Sequence, residues 1–343
     1  MRAEQRGAVL EPLGILHGAD ARRAVDARLA RPLAGGPNAF LLVRDPYGDA
    51  VTYPVTSAPP EWTLALNQLS TAPALWAGLP AGPLVMGILN VTPDSFSDGG
   101  RHVEAGRAVE AGLAMAAAGA AIVDVGGEST RPGAVNVPPD EEQARILPVI
   151  AALAAQGVVV SVDTRNASTM AAALDAGARI VNDVSGLAHD PAAAALCARR
   201  DCPVILMHMR GTPATMDAHA QYRDIACEVA DELALRLGQA EAAGIAPAQI
   251  ALDPGIGFAK TAPQSAELLD RLPLLACFGR PLLVGLSRKR FVGALGGEVA
   301  PPGRDPGSFA GALHAIGRGA AIVRVHDVPG TSQAIRVWQG LGA

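Results

Sequence analysis

The chain has 343 residues, half of them hydrophobic and only 3% aromatic, so its core must be packed from Ala, Val, Leu and Ile. A net charge of −5 with no long Lys/Arg run makes neither nucleic acid nor an anionic membrane surface an expected partner. Cys197, Cys202, Cys227 and Cys277 lack metal-type spacing, no apolar run reaches membrane-spanning length, and Met1–Arg6 is not followed by an apolar signal core. A cytoplasmic protein with free thiols is expected.

Residues 1–80 read as a small α/β extension of unknown role. Ala21–Leu29 and Glu61–Leu69 have helical character. Ala39–Val43 and Ala50–Tyr53 read as strands around the turn-forming Asp45-Pro46-Tyr47-Gly48-Asp49. Thr71–Pro83 is punctuated by Pro and Gly, as a linker would be, and His17 reads as a surface or capping residue. From Leu84 a rhythm sets in. Short apolar runs at Leu84–Leu89, Ala121–Val125, Val158–Val162, Arg179–Asn182, Pro203–Met207, Gln249–Leu252, Pro281–Gly285 and Ala321–Val325 alternate with Ala-rich helical segments, the sixth over Ala266–Leu272 and the last over Ser332–Gly340. Strands apolar throughout imply parallel pairing with both faces covered. Eight such units in residues 81–343 predict an α/β fold of the (β/α)8 TIM barrel type, preceded by the extension. The Gly/Pro-rich stretch Val292–Gly303 carries no recognisable chemistry.

In a barrel, function gathers at the C-terminal ends of the strands. Here every exit is polar: Asn90; Asp124 with Gly126–Gly133; Ser161 and Asp163-Thr164; Asn182-Asp183; His208; Asp253–Phe258; Ser287-Arg288-Lys289; Arg324 and His326-Asp327. Asp and Asn also cap helices, but the same residue types at all eight exits argue for a site. The first exit, Met86–Gly100, illustrates the choice: Asn90 and Asp94 either shape the turn or touch a ligand. Asp163, Asn182, Asp253 and Lys289 would suit a flat polar heterocycle, because a carboxylate accepting two parallel N–H bonds matches the 2-amino/N3–H edge of a pterin or guanine. The alternative for the same residues is a buried salt-bridge network. Arg324 and His326, two apart on a strand, could join Asn90 and Arg131 around phosphate or pyrophosphate. No Walker A loop, dinucleotide fingerprint, Ser nucleophile elbow or His-rich zinc motif is present.

Met86–Gly100, Asp124–Gly133, Ser161–Thr164, Asn182–Asp183, Leu206–Met209, Leu252–Phe258, Pro281–Lys289 and Ile322–Val328 together closely resemble the bacterial dihydropteroate synthases. The resemblance covers residues 84 to 340 in order. It implies condensation of 6-hydroxymethyl-7,8-dihydropterin pyrophosphate with p-aminobenzoate to give 7,8-dihydropteroate and pyrophosphate in folate biosynthesis. It assigns the pterin to Asp163, Asn182, Asp253 and Lys289. Pyrophosphate falls to Asn90, Arg131, Arg324 and His326, with Mg2+ near Asn90. The p-aminobenzoate falls to Thr130, Arg131, Pro132, Phe258 and Ser287. It implies catalytic roles for Asp94, Asp163 and Lys289, two mobile loops at Val91–Arg101 and Glu128–Val137, and a homodimer held by helices of the last third. The extension is longer than the family's usual approach to its first strand. Two rivals share parts of this pattern. A pterin-binding methyltransferase serving a corrinoid has no use for Arg131, Ser287, Arg324 and His326. A non-catalytic paralogue would be expected to show a damaged first or second loop, and both are intact in the sequence.

Overall fold

A computed structural model describes residues 9–49, 51–91, 101–128, 137–297 and 300–342, the side chains of 101–104 excepted. The extension begins with β1 (Glu11–Leu16), α1 (Gly18–Asp26), β2 (Arg31–Pro32), β3 (Ala39–Arg44), β4 (Thr52–Pro54) and α2 (Thr63–Ser70). The strands form one antiparallel sheet. β1 lies on one side of β3, and β2 and β4 pair with its other side. The helices and β3 fall where their sequence pattern places them. β1 is hidden in the sequence by Pro12 and Gly14, which lower strand character. Leu10, Leu33, Phe40, Val43, Leu66 and Leu69 form the core of this unit, and Ala276 of the barrel packs into it.

Eight parallel strands follow: β5 (Leu84–Asn90), β6 (Ile122–Gly126), β7 (Val160–Asp163), β8 (Ile180–Asp183), β9 (Val204–Met207), β10 (Ile250–Asp253), β11 (Leu283–Gly285) and β12 (Ile322–Val325). Their order is β10-β9-β8-β7-β6-β5-β12-β11. A parallel bridge from Leu252 to Leu282 joins the two ends, so the sheet closes into the expected (β/α)8 barrel. The helices outside it are α3 (Arg101–Ala117), α4 (Pro139–Ala155), α5 (Ala167–Asp175), α6 (Ala193–Arg200), α7 (Ile225–Ala242), α8 (Ala262–Asp270), α9 (Arg290–Gly296), α10 (Asp305–Gly317) and α11 (Val328–Gly340). Three of these depart from the sequence reading. α8 starts at Ala262 rather than Ala266 because Thr261 and Gln264 make a reciprocal capping box. α11 starts at Val328 rather than Ser332, capped by Asp327, whose Oδ1 accepts from the Gly330 amide at 2.9 Å. α9 runs into the Gly/Pro-rich stretch Val292–Gly303, whose Gly content masks a short helix that buries Phe291 and Val292 and ends at Gly297 with φ +74°.

The stretch 71–83, read as a linker, folds against the barrel. Trp76, Ala77 and Leu79 are buried against Met86, Ile122, Ile180, Ile205, Ala251, Leu283 and Ile322, a layer drawn from seven of the barrel strands. The Trp76 indole N–H donates to the Gln249 carbonyl at 2.9 Å, and Arg179 donates to the Ala77 carbonyl at 2.9 Å. The segment therefore plugs the N-terminal mouth, and a cut at residue 80 would remove that plug. The extension is also anchored from the side. Glu11, 1% exposed, accepts from Arg44 Nε at 2.8 Å and from Arg271 Nε at 2.6 Å, and Arg271 also reaches Asp224 at the start of α7. The Tyr47 hydroxyl donates to Asp231 on α7 at 2.8 Å. Among the described residues no helix is long and apolar enough to cross a membrane.

Deleting a buried indole leaves a cavity that a closed barrel relaxes into poorly, so Trp76→Ala should lower stability by about 3–5 kcal/mol. A urea midpoint unchanged from the parent would show that the plug is not part of the cooperative unit.

Candidate active site

The barrel strands alternate sides, so residues two apart point the same way. Two positions beyond Ile122, Ile180, Ala251 and Ile322 of the apolar floor stand Asp124, Asn182, Asp253 and Arg324. Asp163 ends β7 in the same layer. These side chains meet. Asp124 is fully buried; its Oδ2 accepts from Arg324 Nε at 2.6 Å and from Asn182 Nδ2 at 2.9 Å. Arg324 also donates to Asp163 Oδ2 at 2.6 Å. The second oxygen of Asp124, Oδ1, is buried with no hydrogen-bond donor among the described residues. Asp253 Oδ1 accepts from the Gly255 amide at 2.7 Å. Lys289 places its ammonium 2.5 Å from the Ile256 carbonyl and 4.4 Å from the centre of the Phe258 ring.

The electrostatics follow from burial. Desolvation pushes the Asp163 carboxyl up to about 7, against the pull of Arg324 and with repulsion from Asp124 adding. Burial also raises Asp253, opposed by Lys289. It lowers Lys289 to about 8, opposed by Asp253. Burial works against the charge on Arg324 as well, but Asp124 and Asp163 outweigh it. Three carboxylates thus share two cations and an amide in a layer that water barely reaches. Such a layer takes a planar ligand rich in N–H groups, with a carbonyl or ring nitrogen facing Lys289.

The remaining sequence candidates divide. Ser287 and His326 sit together on the adjacent exits, the Ser287 hydroxyl 3.1 Å from His326 Nδ1 and accepting from its amide at 3.2 Å. Arg324 and His326 are near neighbours, yet Arg324 turns to the carboxylates and His326 to Ser287. Asn90 closes β5, half-buried at the mouth. Asp94, Thr130, Arg131 and Pro132 lie outside the described residues, as do most of the two loops. The sequence reading noted Asp124 at a strand exit but left it out of the heterocycle set; a charge inside the apolar run Ile122-Val123-Asp124-Val125 was the available signal. It also passed over the buried pair Glu128–Arg165, bonded at 2.9 and 3.0 Å, in which Glu128 further accepts from the Val137 amide at 3.1 Å. Among the described residues no group of three His, Cys, Asp or Glu is placed to hold a metal unaided. A cavity of about 480 Å3 lies at the opposite mouth, between the extension, Trp76 and Trp338; of its polar side chains only Asn38, Arg280 and Gln339 join the indoles, so size alone points to the wrong end.

Fold and site together define a pterin-binding barrel enzyme, and the family model described as Pterin binding enzyme matches residues 86–326. A dihydropteroate synthase from Neisseria meningitidis serogroup C is 47% identical over 263 residues, which is 76% of this chain and 93% of that protein. The structure of Xanthomonas albilineans dihydropteroate synthase with 4-aminobenzoic acid superposes with a TM-score of 0.72 at 47% identity, covering 76% of this chain and 94% of that one. The structure of the same bacterium's enzyme in complex with 7,8-dihydropteroate gives 0.70 at 44% identity, with the same coverage. The chain belongs to the dihydropteroate synthase family.

The raised Asp163 sets a pH dependence. Between its unfolded value of 3.8 and its folded value of about 7, the folded protein binds more protons than the unfolded one, so stability falls as pH rises through that window. Relative to Asp163→Asn, the ligand-free parent should lose up to ~1.4 kcal/mol per pH unit there. Parallel stability profiles from pH 4 to pH 7 would count against a buried, protonatable Asp163.

Proposed function

We propose that the carboxylate, amide and cation layer binds the pterin of 6-hydroxymethyl-7,8-dihydropterin pyrophosphate and presents its methylene carbon to p-aminobenzoate. The reaction is the dihydropteroate synthase condensation of folate biosynthesis, an aryl-amine alkylation that releases pyrophosphate. The observation that carries the assignment is Asp124 Oδ1, a buried acceptor left without a donor among the described residues. An unpaired carboxylate oxygen inside a protein is costly, and an N–H of the heterocycle relieves that cost. Asp163, Asn182 and Asp253 take the remaining edges of the ring, and Lys289 its electron-rich side.

The carbon–oxygen bond to pyrophosphate breaks, and the pterin keeps the resulting methylene cation, which its ring and the nearby carboxylates stabilise. The arylamine nitrogen then attacks that carbon and loses a proton. An arylamine is nucleophilic without deprotonation, so positioning supplies much of the rate. Phe258 and Ser287, with Thr130, Arg131 and Pro132, are assigned to p-aminobenzoate. His326, Asn90, Arg131 and Arg324 are assigned to pyrophosphate, and Asp94 to the reacting carbon. The engagement of Arg324 with Asp124 and Asp163 gives it a second task in holding the pterin carboxylates. Mg2+ fits as a partner of the leaving group, since it keeps most of its ligands as water and phosphate oxygens and asks little of the protein beyond an oxygen such as that of Asn90. Asn90 would hold it there, and the ion's charge would then be available to offset that of the leaving pyrophosphate. We place the reaction in the cytoplasm, in keeping with four free cysteines. A homodimer held by helices of the last third is proposed as well; sedimentation at the monomer mass would remove it.

The test supplies pterin pyrophosphate, Mg2+ and p-aminobenzoate and follows dihydropteroate. Pterin bound with no product formed would sink the synthase reading. Asp253→Asn turns an acceptor oxygen into a donor facing a donor and should weaken pterin binding about 10- to 100-fold, on the order of 1.5–3 kcal/mol. An unchanged Kd by titration calorimetry would take Asp253 out of the site.

A further inference from the structure

One buried cation has no part in the chemistry above. Lys260, 8% exposed, follows the turn that leaves β10. Its Nζ lies 3.1 Å from the Gly255 carbonyl, 3.0 Å from the Phe258 carbonyl and 2.9 Å from His208 Nδ1. An ammonium has three N–H groups and serves all three acceptors; a neutral amine has two and leaves one unserved. His208, 3% exposed at the end of β9, holds its Nε2 2.9 Å from Glu232 of α7. Burial, with Lys260 adding, lowers His208 to about 4, so it stands neutral, receiving at Nδ1 and donating from Nε2 to Glu232. Arg210 pairs with Glu232 and Glu228 behind it. A fixed chain of hydrogen bonds therefore runs from α7 to the turn Gly255–Phe258.

That turn carries the pterin contacts. Its Gly255 amide holds Asp253, its Ile256 carbonyl holds Lys289, and its Phe258 ring lies under the Lys289 ammonium. The path of the turn is tight. Gly255 has φ +66°, and a Cβ there would come within 1.9 Å of the His208 carbonyl oxygen. We propose that Lys260 is a positioning residue of the synthase: its ammonium, locked from behind by His208 and Glu232, holds the Gly255–Phe258 turn in the conformation that aims Asp253 and Lys289 at the heterocycle.

The inference rests on the assignment of Asp253 and Lys289 to the pterin. Around Lys260 stand Asp253 and Glu232, which favour its charge, and Lys289 and Arg210, which oppose it, besides neutral His208; burial dominates and brings Lys260 down to about 7. The ammonium therefore predominates at pH 6, is about half present near pH 7 and is largely lost by pH 8.5. The experiment measures the Kd of dihydropterin pyrophosphate for the full-length parent and K260M from pH 6 to pH 8.5. K260M should bind at least tenfold more weakly at pH 6, with kcat at saturation changed less than Kd. The parent-to-variant affinity ratio should shrink toward one as pH rises past 7. A purely packing role would leave that ratio independent of pH. If K260M does not fold, K260Q, with two N–H donors and no charge, takes its place, and a smaller ratio with the same pH trend is expected. A folded variant within twofold of the parent, or a pH-independent ratio, overturns the proposal. With D253N weakened in parallel, that failure belongs to Lys260 alone; with D253N unchanged, the pterin assignment itself fails.

Discussion

The guanidinium of Arg324 is the contact on which the site depends. It leaves the last barrel strand and reaches carboxylates on the second and third, Asp124 and Asp163, both at 2.6 Å. Without a cation between them, two carboxyl groups so deeply buried would face each other with no compensating charge, and the acceptors proposed for the pterin would lose the contact that sets their geometry. Such a buried arrangement adds little net stability, because the desolvation of each charge offsets most of its attraction. It is retained for what the carboxylates do. Asp124 Oδ1, with no donor among the described residues, is the acceptor that the proposed pterin would serve.

The barrel makes room for this layer by stacking it on an apolar one. Met86, Ile122, Ile180, Ile205, Ala251, Leu283 and Ile322 fill the floor, and Trp76 seals it from below. Because strand side chains repeat every two residues, the next inward layer holds Asp124, Asn182, Asp253 and Arg324. Water is kept from the charges by the packed floor beneath and by strands on all sides, which is why Asp163 rises and Lys289 falls toward neutrality. The extension contributes to this from the opposite mouth. It supplies the plug, and Glu11 ties its sheet to Arg271 on the barrel wall.

Asp253 and Lys289 reach the carboxylate layer from different strands, and both bond to one turn, Gly255–Phe258. Lys260, His208 and Glu232 brace that turn from the side away from the ligand. The barrel thus has a continuous polar path from the surface helix α7 to the Gly255–Phe258 turn. The buried pair Glu128–Arg165 plays the corresponding part where β6 ends, joining both flanks of the second loop through the Val137 amide.

Much of this was legible in the sequence. Apolar runs of strand length, separated by Ala-rich helices, have few ways to bury both faces, and eight of them close into a barrel. Polar residues at each strand exit then have one mouth to share, so Asp163, Asn182, Asp253, Lys289 and Arg324 were readable as site candidates from position alone. What the sequence could not decide were partners. Arg324 was equally able to face an anion or a carboxylate, and only the closed barrel, which brings β12 across from β6 and β7, put it between Asp124 and Asp163. Lys260 looked like any loop lysine until its three acceptors, from two strands' exits, were folded around it. Trp76 lay in a stretch whose Pro and Gly spelled linker, because local composition reports chain stiffness and turns but not what a side chain will meet. Local pattern therefore determined the elements and the end of the barrel where chemistry gathers. The pairing of charges, the plug and the brace were decided by contacts between residues up to 260 positions apart.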